Sequence, residues 1–178
     1  MLLNAKKLAF LGLLLSVDII LIVLSAVLEI NTLFLLAAAS FCVGIAIREG
    51  GKTIGLGFFL GSLILGIILA PNKAYCITYA AMAMYLVIIE NAFDLLLRIK
   101  SNNTRKTLFW IIKYLVFNLL YFPILILLPK LIYLGNIDIR IFAVLILAGQ
   151  VALFLYDRGY EYFQGSIWGK IRKKIKLD

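Results

Sequence analysis

Three carboxylates lie inside long apolar runs of this chain: Asp18, Glu90 and Asp94. Paired carboxylates can transfer protons, take part in acid–base chemistry or hold a cation. In a helix embedded in hydrocarbon, a charge at the centre costs roughly 2.5–3.5 kcal/mol on the insertion scale. Such a group is either matched by a partner or kept for function. In MYLVIIENAFDLLLRIK, Met84 to Lys100, Glu90 and Asp94 are one helical turn apart, and Asp94 and Arg98 repeat the spacing. Lys113 is a cation set within a later apolar run.

The elements that must position these groups follow from composition. The chain has 178 residues, 64% hydrophobic and 15% charged, with a mean hydropathy of +1.06. Soluble domains are about half apolar and a quarter charged. The expected fold is therefore all-α: a polytopic membrane protein, with its length filled by one compact membrane domain. A span needs about 20 apolar residues. Six segments qualify: Leu8–Leu28, the shorter Thr32–Ile47, Thr53–Ala70, Ala74–Leu97, Thr107–Leu128 and Ile139–Tyr156. The start, MLLNAKKLAFLGLLLS, has the flavour of a signal sequence, but no small-residue cleavage site follows, so it reads as a retained first span.

Lysine and arginine set the orientation. With the N-terminus inside, fourteen of the 18 lie on the inner side, three (Lys73, Lys130, Arg140) lie outside, and Lys113 lies within a span. The expected topology has six transmembrane helices with both termini cytoplasmic. The net charge of +9 is then a positive-inside bias, and no nucleic-acid partner is implied. Residues 1–158 form the six-helix transmembrane domain and residues 159–178 a basic amphipathic tail. In that tail Ile167, Trp168, Ile171 and Ile175 share one face, while Lys170, Lys173 and Lys174 lie elsewhere. This pattern predicts an interfacial helix on an anionic inner leaflet.

The chain contains no histidine. That excludes HExxH metalloprotease chemistry, histidine-based triads and most zinc or haem sites, and no metal or cofactor is expected. Cys42 falls near mid-membrane and Cys76 near a surface, so they read as buried small hydrophobes rather than a disulfide. The segment REGGKTIG, Arg48–Gly55, has two glycines and a Lys-Thr. It lacks the leading glycine and four-residue spacer of a phosphate loop, and reads as a tight cytoplasmic turn.

Helix rise gives the depth of the charged groups. Glu90 is roughly 10 Å above the inner end of the fourth helix, and Lys113 roughly 9 Å above that of the fifth. The expectation is a buried charge cluster of Glu90, Asp94 and Lys113, with Asp18 able to join through water. Its simplest role is an ionic lock between helices; catalysis, proton relay or coupling between membrane halves are the alternatives.

The first helix carries two stripes. Ala9, Gly12 and Ser16 are small; Asp18, Ser25 and Glu29 are polar and lie nearly opposite. One side suits close helix packing, the other a bundle interior. Ser40-x-x-x-Gly44 and Gly57-x-x-x-Gly61 offer further close approaches. The outer half is rich in tyrosine and amides. Tyrosines favour interfacial belts, but Thr78, Tyr79, Asn118 and Gln150 lie too deep or are too polar for a belt alone. With Tyr121, Arg140 and Asn72 they are the candidate lining of a small-molecule pocket.

Six short helices, both termini inside, a basic start and Gly12-x-x-x-Ser16 within KKLAFLGLLLS together resemble the S component of an energy-coupling-factor (ECF) transporter. In that family the S component captures a vitamin or metal ion from outside. It docks on a transmembrane T component driven by two ATPases, through an Ala-x-x-x-Ala motif on its first helix. The resemblance implies docking by Ala9, Gly12 and Ser16, with substrate contacts from the later helices and outer connections. It also implies a non-catalytic subunit in a bacterial plasma membrane. The family's metal-ion members use histidine ligands, so the absence of histidine here favours a small organic micronutrient. Two other readings stay open: a small membrane scaffold of the MreD type, and an intramembrane lipid-modifying enzyme using Glu90, Asp94 and Asp18.

Overall fold

A computed structural model describes residues 5–127 and 138–175. Tyr133 and Asn136 of the last outer connection, and the side chains of Glu29, Lys174 and Ile175, lie outside the described residues. Among the described residues every regular element is helical. Six helices are long and apolar enough to cross a membrane. Helices suit this setting because they satisfy their own backbone groups where no water can.

The chain divides into two units, residues 1–116 and 117–178. The first contains α1 (Ala5–Val27), α2 (Thr32–Gly50), α3 (Lys52–Leu69), α4 (Ala74–Leu96) and the start of α5 (Asn102–Leu127). Helix α2 is its centre, packed against α1, α3 and α4 and buried along most of its length. Small side chains make this possible: Ala39, Ser40, Cys42, Gly44 and Ala46 are all buried on α2. Of the two small-residue spacings read on α2 and α3, Ser40 and Gly44 are enclosed, whereas Gly57 and Gly61 meet no atom within 4 Å of an added Cβ.

The connections are short and specific. A single 3₁₀ turn, Glu29–Asn31, joins α1 to α2, and the Thr32 hydroxyl donates to the Ser25 carbonyl at 3.1 Å. Only Gly51 separates α2 from α3. Its φ of +88° is open to glycine at little cost, and its N–H closes on the Ile47 carbonyl at 2.8 Å. Gly55 then passes against Ile47, where a Cβ would stand 2.7 Å from the Ile47 Cα. The REGGKTIG segment is thus a one-residue turn between two tightly apposed helices. At the other end, the Asn72 side chain accepts from the Ala74 N–H at 3.0 Å and starts α4.

Helix α5 begins five residues before the expected Thr107. Ser101 caps it: its carbonyl accepts from the Arg105 N–H at 3.0 Å, and its hydroxyl accepts from the Thr104 hydroxyl at 3.0 Å. Hydropathy locates where a helix enters lipid, but the cap decides where it starts. Pro123 lies inside α5 and takes no part as a donor.

The second unit holds the rest of α5, α6 (Ile139–Tyr162), a π-helical turn (Phe163–Trp168) and α7 (Gly169–Ile175). Phe163 (φ −57°, ψ −49°) and Gly169 (φ −56°, ψ −33°) both keep right-handed helical geometry. No coil separates α6 from the π turn and α7. Within the tail, Trp168 is buried, whereas Ile167 and Ile171 are exposed. One stripe of buried residues instead runs on from α6: Gly149, Leu153, Asp157, Tyr160, Gln164 and Trp168.

Candidate functional site

The groups singled out by chemistry fall into three places. The first is the C-terminal end of α4. Glu90 accepts from Arg48 of α2, at 3.0 Å from Nε and 2.6 Å from Nη2. Asp94 pairs with Lys52 of α3 at 3.1 Å. Two carboxylates four residues apart on α4 thus meet two cations four residues apart across the Gly51 turn. Glu90 is nearly buried and Arg48 half-exposed, while both members of the Asp94 pair are open to solvent.

The expected cluster gave these carboxylates to Lys113 and counted Arg48 and Lys52 only toward topology. Lys113 is buried, with its ammonium 4.4 Å from the Phe109 ring centre and 5.0 Å from that of Trp110 on its own helix. Equal depth is shared by many residues in a bundle. What selects Arg48 is that α2, at the centre, packs directly on α4.

The second place lies deeper, among α1, α3 and α4. Asp18 is fully buried and its Oδ2 accepts from the Tyr79 hydroxyl at 2.8 Å. The same hydroxyl is 2.5 Å from Ser62 Oγ, which also lies 3.0 Å from the Phe59 carbonyl oxygen. Asp18 therefore belongs to a node of its own and not to the Glu90 end. Tyr79, expected to line an outer pocket, is wholly buried as the partner of Asp18. Ser62 had no role in the sequence reading. The clue to it was its place on α3, where Phe58, Phe59, Ser62 and Gly66 share a buried face.

The third place is in the second unit. Gln150 Nε2 donates to Asn118 Oδ1 at 2.8 Å, and the Tyr121 hydroxyl donates to the Leu145 carbonyl at 2.8 Å. Gly149 makes room for that ring: a Cβ there would stand 2.6 Å from Tyr121 Cε1. Asn118 and Gln150 are thus bonded to each other, and Tyr121 is bonded separately to the α6 main chain. Thr78 is half-buried, Asn72 is exposed and engaged in capping α4, and Arg140 is exposed at the start of α6. Sequence reasoning passed over Asp157 and Gln164, both buried on α6 and the π turn. Their seven-residue spacing was the available signal. The Gln164 amide has no hydrogen-bond partner among the described residues.

The two faces of α1 separate as the stripes suggested. Ala9, Gly12 and Ser16 are exposed, and a Cβ on Gly12 would meet nothing within 4 Å. Asp18 and Ser25, on the other side, are completely buried.

No group of three or more potential metal ligands occurs among the described residues. Six helices long and apolar enough to cross a membrane mark a multi-pass membrane protein, helical in its regular elements among the described residues. No family, curated protein or solved structure matches the chain.

Proposed function

We propose that this protein is the substrate-capture membrane subunit of a micronutrient uptake transporter of the ECF type. It sits in a bacterial plasma membrane with both termini in the cytoplasm and the basic end of the chain on the anionic inner leaflet. It takes a vitamin-like organic molecule from outside and docks on a T component served by two ATPases. It carries out no catalysis itself.

The observation that carries this reading is the division of α1. A helix whose polar side is sealed into the bundle, and whose small side lies open, is suited to close packing against another membrane helix. Exposure of Ala9, Gly12 and Ser16 supports that role. The linked amides of Asn118 and Gln150, with Tyr121 beside them, are the groups suited to orient a small polar ligand. Pairing of Glu90 and Asp94 with cations weighs against the lipid-enzyme reading, because neither carboxylate is left bare for chemistry.

The test is purification of the tagged full-length protein from its native membranes. The expected complex contains a polytopic T component and two ATPases and hydrolyses ATP. Gly12→Leu should dissolve it while the protein itself stays monodisperse. Recovery with wall-synthesis proteins and no ATPase would overturn the reading in favour of a scaffold.

A further inference from the structure

The Asp18 node has a property that neither packing nor docking explains. Its Oδ2 is satisfied by Tyr79, but Oδ1 has no hydrogen-bond partner, and the whole residue is shielded from solvent. An anionic oxygen in that position would be an uncompensated charge inside a low-dielectric bundle, which is among the costliest arrangements a protein can hold.

Among the described residues, no ion pair reaches Asp18 from the helices packed on α1. Three helices pack against α1. On α2 the buried thiol of Cys42 leans on the Ala38 carbonyl at 3.7 Å. From α3 the facing group is Ser62, and from α4 it is Tyr79. The cations carried by α2 and α3, Arg48 and Lys52, are engaged with Glu90 and Asp94 at the far end of α4. On α1 itself, Lys7 is eleven residues from Asp18, roughly 16 Å along the axis.

We propose that Asp18, with the hydroxyls of Ser62 and Tyr79, forms a site for a monovalent cation, a proton or a sodium ion, held at Oδ1 within the α1–α4 bundle. Either ion makes the carboxyl group electrically neutral in place. A proton would sit on Oδ1, leaving Oδ2 as the carbonyl oxygen that accepts from Tyr79. Sodium would be held by Oδ1, with hydroxyl and main-chain oxygens completing its shell. Three different helices contribute to the node. Release of the cation therefore requires α1 to part from α3 and α4 so that water can reach the carboxylate. Loading and helix position are one equilibrium, whether or not an organic ligand binds elsewhere.

The test uses the full-length protein in lipid nanodiscs at neutral pH. If the cation is a proton, infrared spectra show a protonated-carboxyl C=O band that Asp18→Asn lacks, independent of sodium. If it is sodium, that band is absent, and added sodium, but not choline, raises the unfolding temperature of the native protein and leaves Asp18→Asn unmoved. Tyr79→Phe keeps the carboxyl and removes its donor, and serves if Asp18→Asn does not fold. It should shift the carboxyl band or weaken the sodium response. Absence of both a band lost with Asp18 and a sodium response would overturn the proposal. So would a Tyr79→Phe protein identical to the native one in both measurements.

Discussion

Gly55 and Gly57 are two residues apart on α3, yet the same substitution should act on them with opposite sign. Replacing a helical glycine by alanine gains about 0.8–1.0 kcal/mol from reduced backbone entropy. At Gly57 an added Cβ meets nothing within 4 Å, so Gly57→Ala should stabilise by close to that amount. At Gly55 the Cβ would stand 2.7 Å from the Ile47 Cα. That atom is main chain, so no rotamer change relieves the clash and α2 must move off α3. Overpacking of this kind costs about 1–3 kcal/mol, and a main-chain clash belongs at the upper end. After the entropic gain, Gly55→Ala should lose about 2 kcal/mol, making the contrast between the two variants about 3 kcal/mol. Denaturant titration in detergent micelles, read by helical circular dichroism and intrinsic fluorescence, measures both. Equal effects, or a more stable Gly55→Ala, would refute the tight α2–α3 apposition on which the Gly51 turn and both charge pairs depend.

The Arg48–Glu90 pair should respond asymmetrically. Arg48→Met removes two charge-assisted hydrogen bonds from a nearly buried carboxylate and should cost about 3 kcal/mol, whereas Glu90→Gln keeps an acceptor for a half-exposed guanidinium that water can solvate and should cost about 1 kcal/mol. Comparable losses in the same titration would show that Glu90 does not depend on Arg48. Topology is checked by cysteine labelling in whole cells: Asn72→Cys should react with an impermeant maleimide from outside, and Lys52→Cys only after permeabilisation, since both positions are exposed at opposite ends of α3. The reverse pattern would invert the assignment.

Much of the fold was legible because each span is a long apolar run bounded by charges or turn residues. The division of α1 was equally legible, since the rotation from Ser16 to Asp18 follows from helical geometry alone and burial bears it out. Partner choice was not. Depth along a helix can be counted from sequence, but which helix lies alongside cannot. Arg48 on the central helix was therefore missed as a partner of Glu90. Tyr79 was read differently for a related reason: its position near the N-terminal end of α4 suggested a pocket, while its side chain turns inward to Asp18. Helix ends formed another gap. The capping by Ser101 extends α5 beyond its apolar run, and α6 runs past the apolar stretch that ends at Tyr156 and on through a π turn.

The central claim is that the protein captures a small organic molecule, and native mass spectrometry of the purified protein, released from mild detergent, tests it most directly. The account predicts one bound small molecule per chain, lost when Asn118 and Gln150 are both replaced by leucine in a protein that still folds. A native protein that carries only lipid, from membranes of cells grown with a full complement of micronutrients, would contradict it.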